Sequence, residues 1–319
     1  LQTPKLVVVF GGSGFVGRHV VRALAKRGYR IRVACRRPDL AVHLQPLGNV
    51  GQIQAVQANL RFRRSVDQAV IGADHVINLV GVLHEGSRQR FGAVHEFGAR
   101  AVAEAARAVG ARLTHVSAIG VDERSPSAYA RTKARGEKAV LETVPDATIF
   151  RPSIIFGPED EFFNRFAAMS RYAPALPLIG GGTTKFQPVF VGDVAEAVAR
   201  SVDGAVEGGR VYELGGPEVK SFRELVEYVC EVTGRRRFIA SLPIPLARFQ
   251  ARILEIVNML SLGLLPDEFL LTRDQVTLLQ SDNIVSEAAR KDGRTFAGIG
   301  IAPVSFEAEV PSYLWRFRK

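Results

Sequence analysis

Tyr129 and Lys133 stand four residues apart in Ser127-Ala-Tyr-Ala-Arg-Thr-Lys133, a spacing that stacks both side chains on one face of a helix. An ammonium beside a phenol favours the tyrosinate. The pairing is therefore expected to draw Tyr129 down from the usual tyrosine value of about 10 and make it a proton donor or acceptor near neutral pH. Ser117 closes the apolar run from Leu113, and its hydroxyl would hydrogen-bond a carbonyl oxygen while Tyr129 protonates it and a hydride arrives from a nicotinamide. A tyrosine four residues before a lysine is more often an ordinary helix face than a site. The chemistry depends on whether the chain also builds a place for the hydride carrier.

The apolar run Leu6–Phe10 leads into Gly11-Gly-Ser-Gly-Phe-Val-Gly17, and an amphipathic stretch from Arg18 to Lys26 follows directly. A strand that ends in a glycine turn opening a helix brings bare backbone and the helix's first N–H groups to a dinucleotide pyrophosphate. Gly11, Ser13, Gly14, Phe15, Val16 and Gly17 are the expected cradle. A second strand, Tyr29 to Arg36, completes the unit and ends in Cys35-Arg-Arg-Pro38, where NAD-preferring proteins of this architecture usually carry an acidic residue. Two guanidiniums, Arg36 and Arg37, suit a ribose 2′-phosphate, so NADP(H) is expected ahead of NAD(H). Asp39 close by speaks for the NAD(H) alternative, and a solvated basic loop is the bland reading.

Further strand-like runs at Ile53–Val56, 74–80, Leu113–Ser117 and Ala147–Arg151 alternate with helical periodicity, which predicts an α/β doubly wound parallel sheet of the Rossmann kind. After Pro152 the rhythm breaks at Gly157-Pro158, Gly180-Gly-Gly182 and Gly215-Gly-Pro217. The expected division is a dinucleotide-binding core over 1–156 and a smaller C-terminal α/β lobe over 157–319, with interleaved contributions to the core. Helices are expected over Asp193–Val202 and Ser221–Thr233, the latter with Ser221 and Glu224 as a capping box. At 319 residues the chain is long enough for one large core and an appended lobe. Cys35 and Cys230 have no metal-ligand spacing, no apolar run reaches the ~20 residues of a membrane span, and the N-terminal residues do not read as a signal peptide. The net charge of +10 suits an anionic partner, but the basic residues are dispersed and no nucleic-acid motif accompanies them.

The glycine turn, Ser117 and the Tyr129–Lys133 pair, in that order, resemble the short-chain dehydrogenase/reductase superfamily in its extended or atypical branch. The resemblance implies that Ser117, Tyr129 and Lys133 are catalytic and touch the cofactor, and that Asn59 and Leu60 border the adenine. It further implies that Leu79, Val80 and Gly81 line the cofactor groove, while Pro152, Ser153, Ile154 and Ile155 pack beside the nicotinamide. Asn78-Leu-Val-Gly81 departs from the Asn-Asn-Ala-Gly common in single-domain members. Phe150-Arg-Pro-Ser-Ile-Ile-Phe-Gly-Pro-Glu-Asp160, the run Phe162 to Met169 and Phe186-Gln-Pro-Val-Phe-Val-Gly-Asp193 resemble, more narrowly, the NAD(P)-binding accessory subunit family of respiratory complex I, the NADH:ubiquinone oxidoreductase. That resemblance implies bound NADP(H), complex I subunits as partners, and a structural or regulatory role rather than turnover. It also implies a place at the cytoplasmic face of a bacterial inner membrane, or the matrix face in a mitochondrion. The competing reading is an independent NADP-dependent oxidoreductase or epimerase acting on a sugar nucleotide, sterol or isoprenoid-like carbonyl substrate.

The stretch Leu242 to Leu265 is amphipathic, with Arg248 and Arg252 four apart. One expectation is docking on an anionic membrane surface or a partner: Arg235, Arg236 and Arg237 meet phosphates while Phe249, Ile253 and Leu260 enter the headgroup boundary. The other is packing of the same helix within its own lobe. The tail Tyr313-Leu-Trp-Arg-Phe-Arg-Lys319 mixes aromatics and cations in the same way.

Overall fold

The computed structural model describes residues 4–85, 89–260 and 271–319. Its first half is a regular alternation of β1 (Leu6–Phe10), α1 (Phe15–Lys26), β2 (Arg30–Cys35), β3 (Ile53–Gln57), α2 (Arg63–Val70), β4 (His75–Asn78), α3 (Gly98–Ala108), β5 (Arg112–Val116), α4 (Ala128–Thr143) and β6 (Thr148–Pro152). There follow β7 (Ile155–Phe156), α5 (Phe163–Tyr172), β8 (Ala175–Ile179), β9 (Lys185–Phe186), β10 (Val189–Phe190), α6 (Val191–Asp203), β11 (Val211–Leu214), β12 (Lys220–Ser221) and α7 (Phe222–Val232). The chain continues with β13 (Phe238–Leu242), α8 (Ile244–Leu260), α9 (Arg273–Leu278), α10 (Glu287–Lys291) and α11 (Phe306–Leu314). Seven strands form one parallel sheet in the order β11-β6-β5-β4-β1-β2-β3. The winding reverses between β1 and β4, which opens a crevice at the carboxyl ends of the strands, where ligands of such sheets bind.

The central strands read as unbroken apolar runs because both sheet faces are covered. Val7 and Val9 of β1 pack with Val20, Val21 and Leu24 of α1 and with Val194 and Val198 of α6; Val8 and Phe10 pack on the opposite face with α2, α3 and α4. β4 is shorter than its expected run over 74–80. After Asn78 its side-chain oxygen accepts the Val80 N–H at 3.1 Å, and the chain leaves the ladder.

The smaller lobe is built on phenylalanines: Phe156, Phe163, Phe186, Phe222 and Phe306 are buried in one cluster. Residues after 157 also return to the sheet, since β11 pairs with β6 and α6 packs on α1. α7 carries the expected capping box, with Glu224 N–H donating to Ser221 Oγ at 3.2 Å and Ser221 N–H to Glu224 Oε2 at 2.7 Å. The amphipathic stretch forms α8, which packs against α9. Ala247 and Ala251 are buried with Val276 of α9, whereas Leu246, Phe249 and Ile253 are exposed on the outer face. The side chain of Leu260 and residues 261–265 lie outside the described residues. Two of the three consecutive arginines are latches rather than free cations: Arg235 Nε donates to the Phe317 carbonyl and Arg237 Nε to that of Ser170. In the tail, Tyr313 and Leu314 belong to the lobe core, whereas Trp315 is exposed together with Arg316, Arg318 and Lys319. Among the described residues no helix is long and apolar enough to cross a membrane.

Candidate functional site

The glycine turn forms where β1 hands over to α1. Gly11 has φ of +80°, a left-handed conformation, and its carbonyl accepts Gly14 N–H at 3.1 Å. A Cβ on Gly17 would lie 2.2 Å from the Gly11 carbonyl oxygen, so only glycine lets α1 start this close to the turn. A Cβ on Gly11 would meet Val80 and Leu79, which sets the end of β4 against the cradle. Among the described residues no side chain caps the start of α1, leaving its first N–H groups and dipole for an anion. These residues fit a dinucleotide pyrophosphate.

At the end of β2, Arg36 and Arg37 are both exposed but not equivalent. Arg37 forks onto Asp39, with Nη2 to Oδ2 at 2.7 Å and Nε to Oδ1 at 3.0 Å, and the guanidinium holds the Asp39 carboxyl below the usual carboxylate range. Asn59 folds on itself, its Oδ1 accepting Arg61 N–H at 3.2 Å. Leu60 is buried over Gly98 of α3.

Lys133 reaches the end of β5, beside Ser117, and Tyr129 stands one turn before Lys133 on α4. Lys133 is buried and donates from Nζ to the Val116 carbonyl at 3.1 Å, while a Cβ on Gly81 would lie 3.3 Å from the same nitrogen. Ser117 Oγ is buried and meets no partner among the described residues, as a hydroxyl awaiting a ligand oxygen would. The expected effect of Lys133 on Tyr129 is reversed. Burial first, and then the Asp274 carboxylate, push the phenol up to about 12, while burial brings Lys133 down to about 8 despite Glu137 nearby. Of the residues expected beside the nicotinamide, Ser153 spends its hydroxyl on Asn283, donating to its carbonyl at 2.9 Å and lying 2.7 Å from its Oδ1.

Three residues of the site carry no signal in the sequence. His95 lies in a π-helical turn, Gly92–Phe97, with its ring stacked on Phe91 and edge-on to Tyr129 at 5.3 Å. Val82 N–H donates to its Nε2 at 3.1 Å, which assigns the ring proton to Nδ1, 3.1 Å from Thr132 Oγ1; burial holds the ring neutral by lowering it to about 3. Asp274 of α9 accepts from the first residues of α4, and Asn283 donates from Nδ2 to the Ile119 carbonyl at 3.1 Å. The only cue was a capping box at Thr272 and Gln275, which announces α9 but not its neighbour.

Comparison with known proteins adds to this geometry. A family model described as the NAD dependent epimerase/dehydratase family matches residues 7–215. The mitochondrial NADH dehydrogenase [ubiquinone] 1 alpha subcomplex subunit 9 of Arabidopsis thaliana is 35% identical over 98% of this chain and 78% of that protein. A ceramide reductase of Caulobacter vibrioides is 36% identical over 75% of this chain and 74% of its own length. Among solved structures, a dTDP-glucose 4,6-dehydratase from Streptomyces venezuelae with NAD bound superposes with a TM-score of 0.71 at 19% identity, covering 98% of this chain and 96% of that one.

Proposed function

Because the chain belongs to the NAD dependent epimerase/dehydratase family, and within it to the family of the alpha subcomplex subunit 9 proteins, we propose that it is an NADP(H)-binding accessory subunit of respiratory complex I with a structural or regulatory role. The full-length likeness to a subunit of that enzyme carries the reading. On it, the 11–17 turn holds the pyrophosphate, Arg36 takes the ribose 2′-phosphate with help from Arg37, and Asn59 with the Leu60 backbone borders the adenine. Leu79, Val80 and Gly81 line the groove, and Pro152 to Ile155 flank the nicotinamide. The outer face of α8, with Arg248 and Arg252 beside Leu246, Phe249 and Ile253, rests on an anionic membrane surface, at the cytoplasmic face of a bacterial inner membrane or the matrix face of a mitochondrial one. The test is native electrophoresis of membranes from cells expressing the tagged chain. The tag is expected to co-migrate with NADH:ubiquinone oxidoreductase activity, and nucleotide released from the purified protein is expected to be NADP(H). A tag found wholly apart from that activity overturns the assignment.

A second reading, an NADP-dependent reductase of a carbonyl-bearing lipid or sugar nucleotide, is favoured by the ceramide reductase relative together with the retained Ser117, Tyr129 and Lys133. When bound, the nicotinamide supplies the hydride. Ser117 Oγ would hold the carbonyl oxygen, Tyr129 would give it the phenolic proton, and Lys133, anchored on Val116, would hold the cofactor. NADPH oxidation that depends on such a carbonyl compound and disappears in Tyr129→Phe is the expected signature; no oxidation with any of them removes the reading.

A further inference from the structure

The segment Thr272 to Val285 runs along the carboxyl edge of the sheet and ties together loops that start from different strands. Asn283 bonds the Ile119 carbonyl after β5 and the Ser153 hydroxyl after β6, and Val285 N–H donates to Gln187 at 3.0 Å. At the other end of the segment, Asp274 gathers the start of α4: Ala128 N–H donates to Oδ1 at 2.7 Å, Ser127 Oγ to Oδ2 at 2.8 Å and Tyr129 N–H to Oδ2 at 3.2 Å. Ser127 is itself the N-cap, its Oγ accepting from Ala130 N–H, so α4 has a second, charged cap supplied from the other lobe. Tyr129 is the second residue of this 16-residue helix, at its positive end. An uncompensated helix start favours an anion such as tyrosinate, and a carboxylate bonded to the same N–H groups cancels that field.

We propose that Asp274 is a positioning residue, which neutralises the start of α4 and so keeps the Tyr129 phenol in its proton-bearing form. Among the described residues, the titratable groups on the neighbouring elements are His95, Lys133 and Glu85. His95 on the π turn is neutral, Lys133 one turn along is directed to the Val116 carbonyl, and Glu85 on the β4 loop is bonded to Phe91 N–H at 2.8 Å. The proposal rests on the reading of Tyr129 as the proton-transfer group: it keeps the phenol loaded with the proton it would give, while making it a weaker acid than an unperturbed tyrosine.

The test is a ¹³Cζ-tyrosine NMR titration of the full chain, with Tyr129→Phe assigning the resonance. In the parent protein Tyr129 is expected to titrate at about 12. Asp274→Asn, which still accepts from the helix N–H groups, is expected to lower the midpoint by roughly one unit, while Asp274→Glu restores it. At about pH 11 this is the difference between about one-tenth and one-half ionised. If Asp274→Asn does not fold, Asp274→Ser serves as the neutral cap. A folded neutral variant whose Tyr129 midpoint stays with the parent's overturns the proposal and leaves Asp274 a helix cap only. NADPH binding measured on the same samples separates the two layers: a parent protein that binds no nucleotide refutes the cofactor reading, whereas an unmoved Tyr129 refutes this one.

Discussion

A guanidinium already forked onto a carboxylate has less to offer a phosphate than one that is not, and this separates Arg36 from Arg37. In calorimetric titrations Arg36→Ala is expected to weaken NADPH binding by about 1.5–3 kcal/mol, the range of a charged hydrogen bond, with little change for NADH. Arg37→Ala should lose less, and Asp39→Asn should gain NADPH affinity by releasing Arg37. Equal losses for both nucleotides in Arg36→Ala would remove the 2′-phosphate assignment. The anion-binding character of Cys35-Arg-Arg-Pro38 was legible in the residue types. The Arg37–Asp39 fork was not, because it depends on the chain turning at Pro38 into a short 3₁₀ helix that brings Asp39 back. The same limit explains Tyr129: its four-residue spacing from Lys133 is a local fact, but the sign of its shift depends on burial and on Asp274, 145 residues away.

Among the elements, α4 is the one that must be held still, since it carries both Tyr129 and Lys133. The face that carries them rests on the π turn so closely that a Cβ on Gly136 would lie 2.0 Å from the His95 carbonyl oxygen. One turn past Lys133, Glu137 receives a buried fork from Arg151 of β6, with Nη2 to Oε2 at 2.6 Å and Nε to Oε1 at 3.0 Å. Gly136→Ala is therefore expected to destabilise the protein by about 3 kcal/mol in urea unfolding, against its intrinsic gain in helix propensity, because rigid backbone stands in the way. Gly92→Ala in the π turn, where the added methyl meets nothing within 4 Å among the described residues, is the control and should change stability little. If both substitutions behave alike, the contact is not what fixes α4. Periodicity made the sheet strands and long helices readable. It did not reveal the π turn, since Gly92-Ala-Val-His-Glu-Phe97 looks like plain helix. The segments that carried the family resemblance, including Phe156, Phe163 and Phe186, prove to be largely the core of the smaller lobe, so the resemblance was read mostly from packing.

At the scale of the whole molecule, stability is coupled to pH through histidines buried in and beside the sheet. His75 is sealed in the sheet, Nε2 lying 2.8 Å from Thr114 Oγ1, which in turn lies 2.8 Å from Ser201 Oγ of α6. His95 and His115 lie beneath the cleft, and burial lowers all three to about 3, assisted by Arg112 and Lys5 at His75 and by Lys133 at the other two. In the unfolded chain each returns to about 6.5. Between these values the unfolded state binds protons that the folded state refuses, so the histidines' contribution is full above about pH 6.5 and falls as the pH drops, by up to ~1.4 kcal/mol per unit for each histidine. Asp160 and Asp193, which burial raises, bind protons earlier in the folded state and offset part of the loss at the acid end. Three such groups can remove ~4 kcal/mol per pH unit from a total of roughly 5–15, enough to unfold the chain well before the carboxylates titrate. The expected observation is a urea midpoint that declines steeply below about pH 6 and, because burial lowers Lys133 to about 8, still rises gently above about pH 7. His75→Gln, remote from the cleft, should lose about a third of that slope while leaving nucleotide binding at neutral pH unchanged. A midpoint that stays constant down to about pH 5 would mean that the histidines charge in place, and that the packing around them yields to protons at far lower cost than their burial implies.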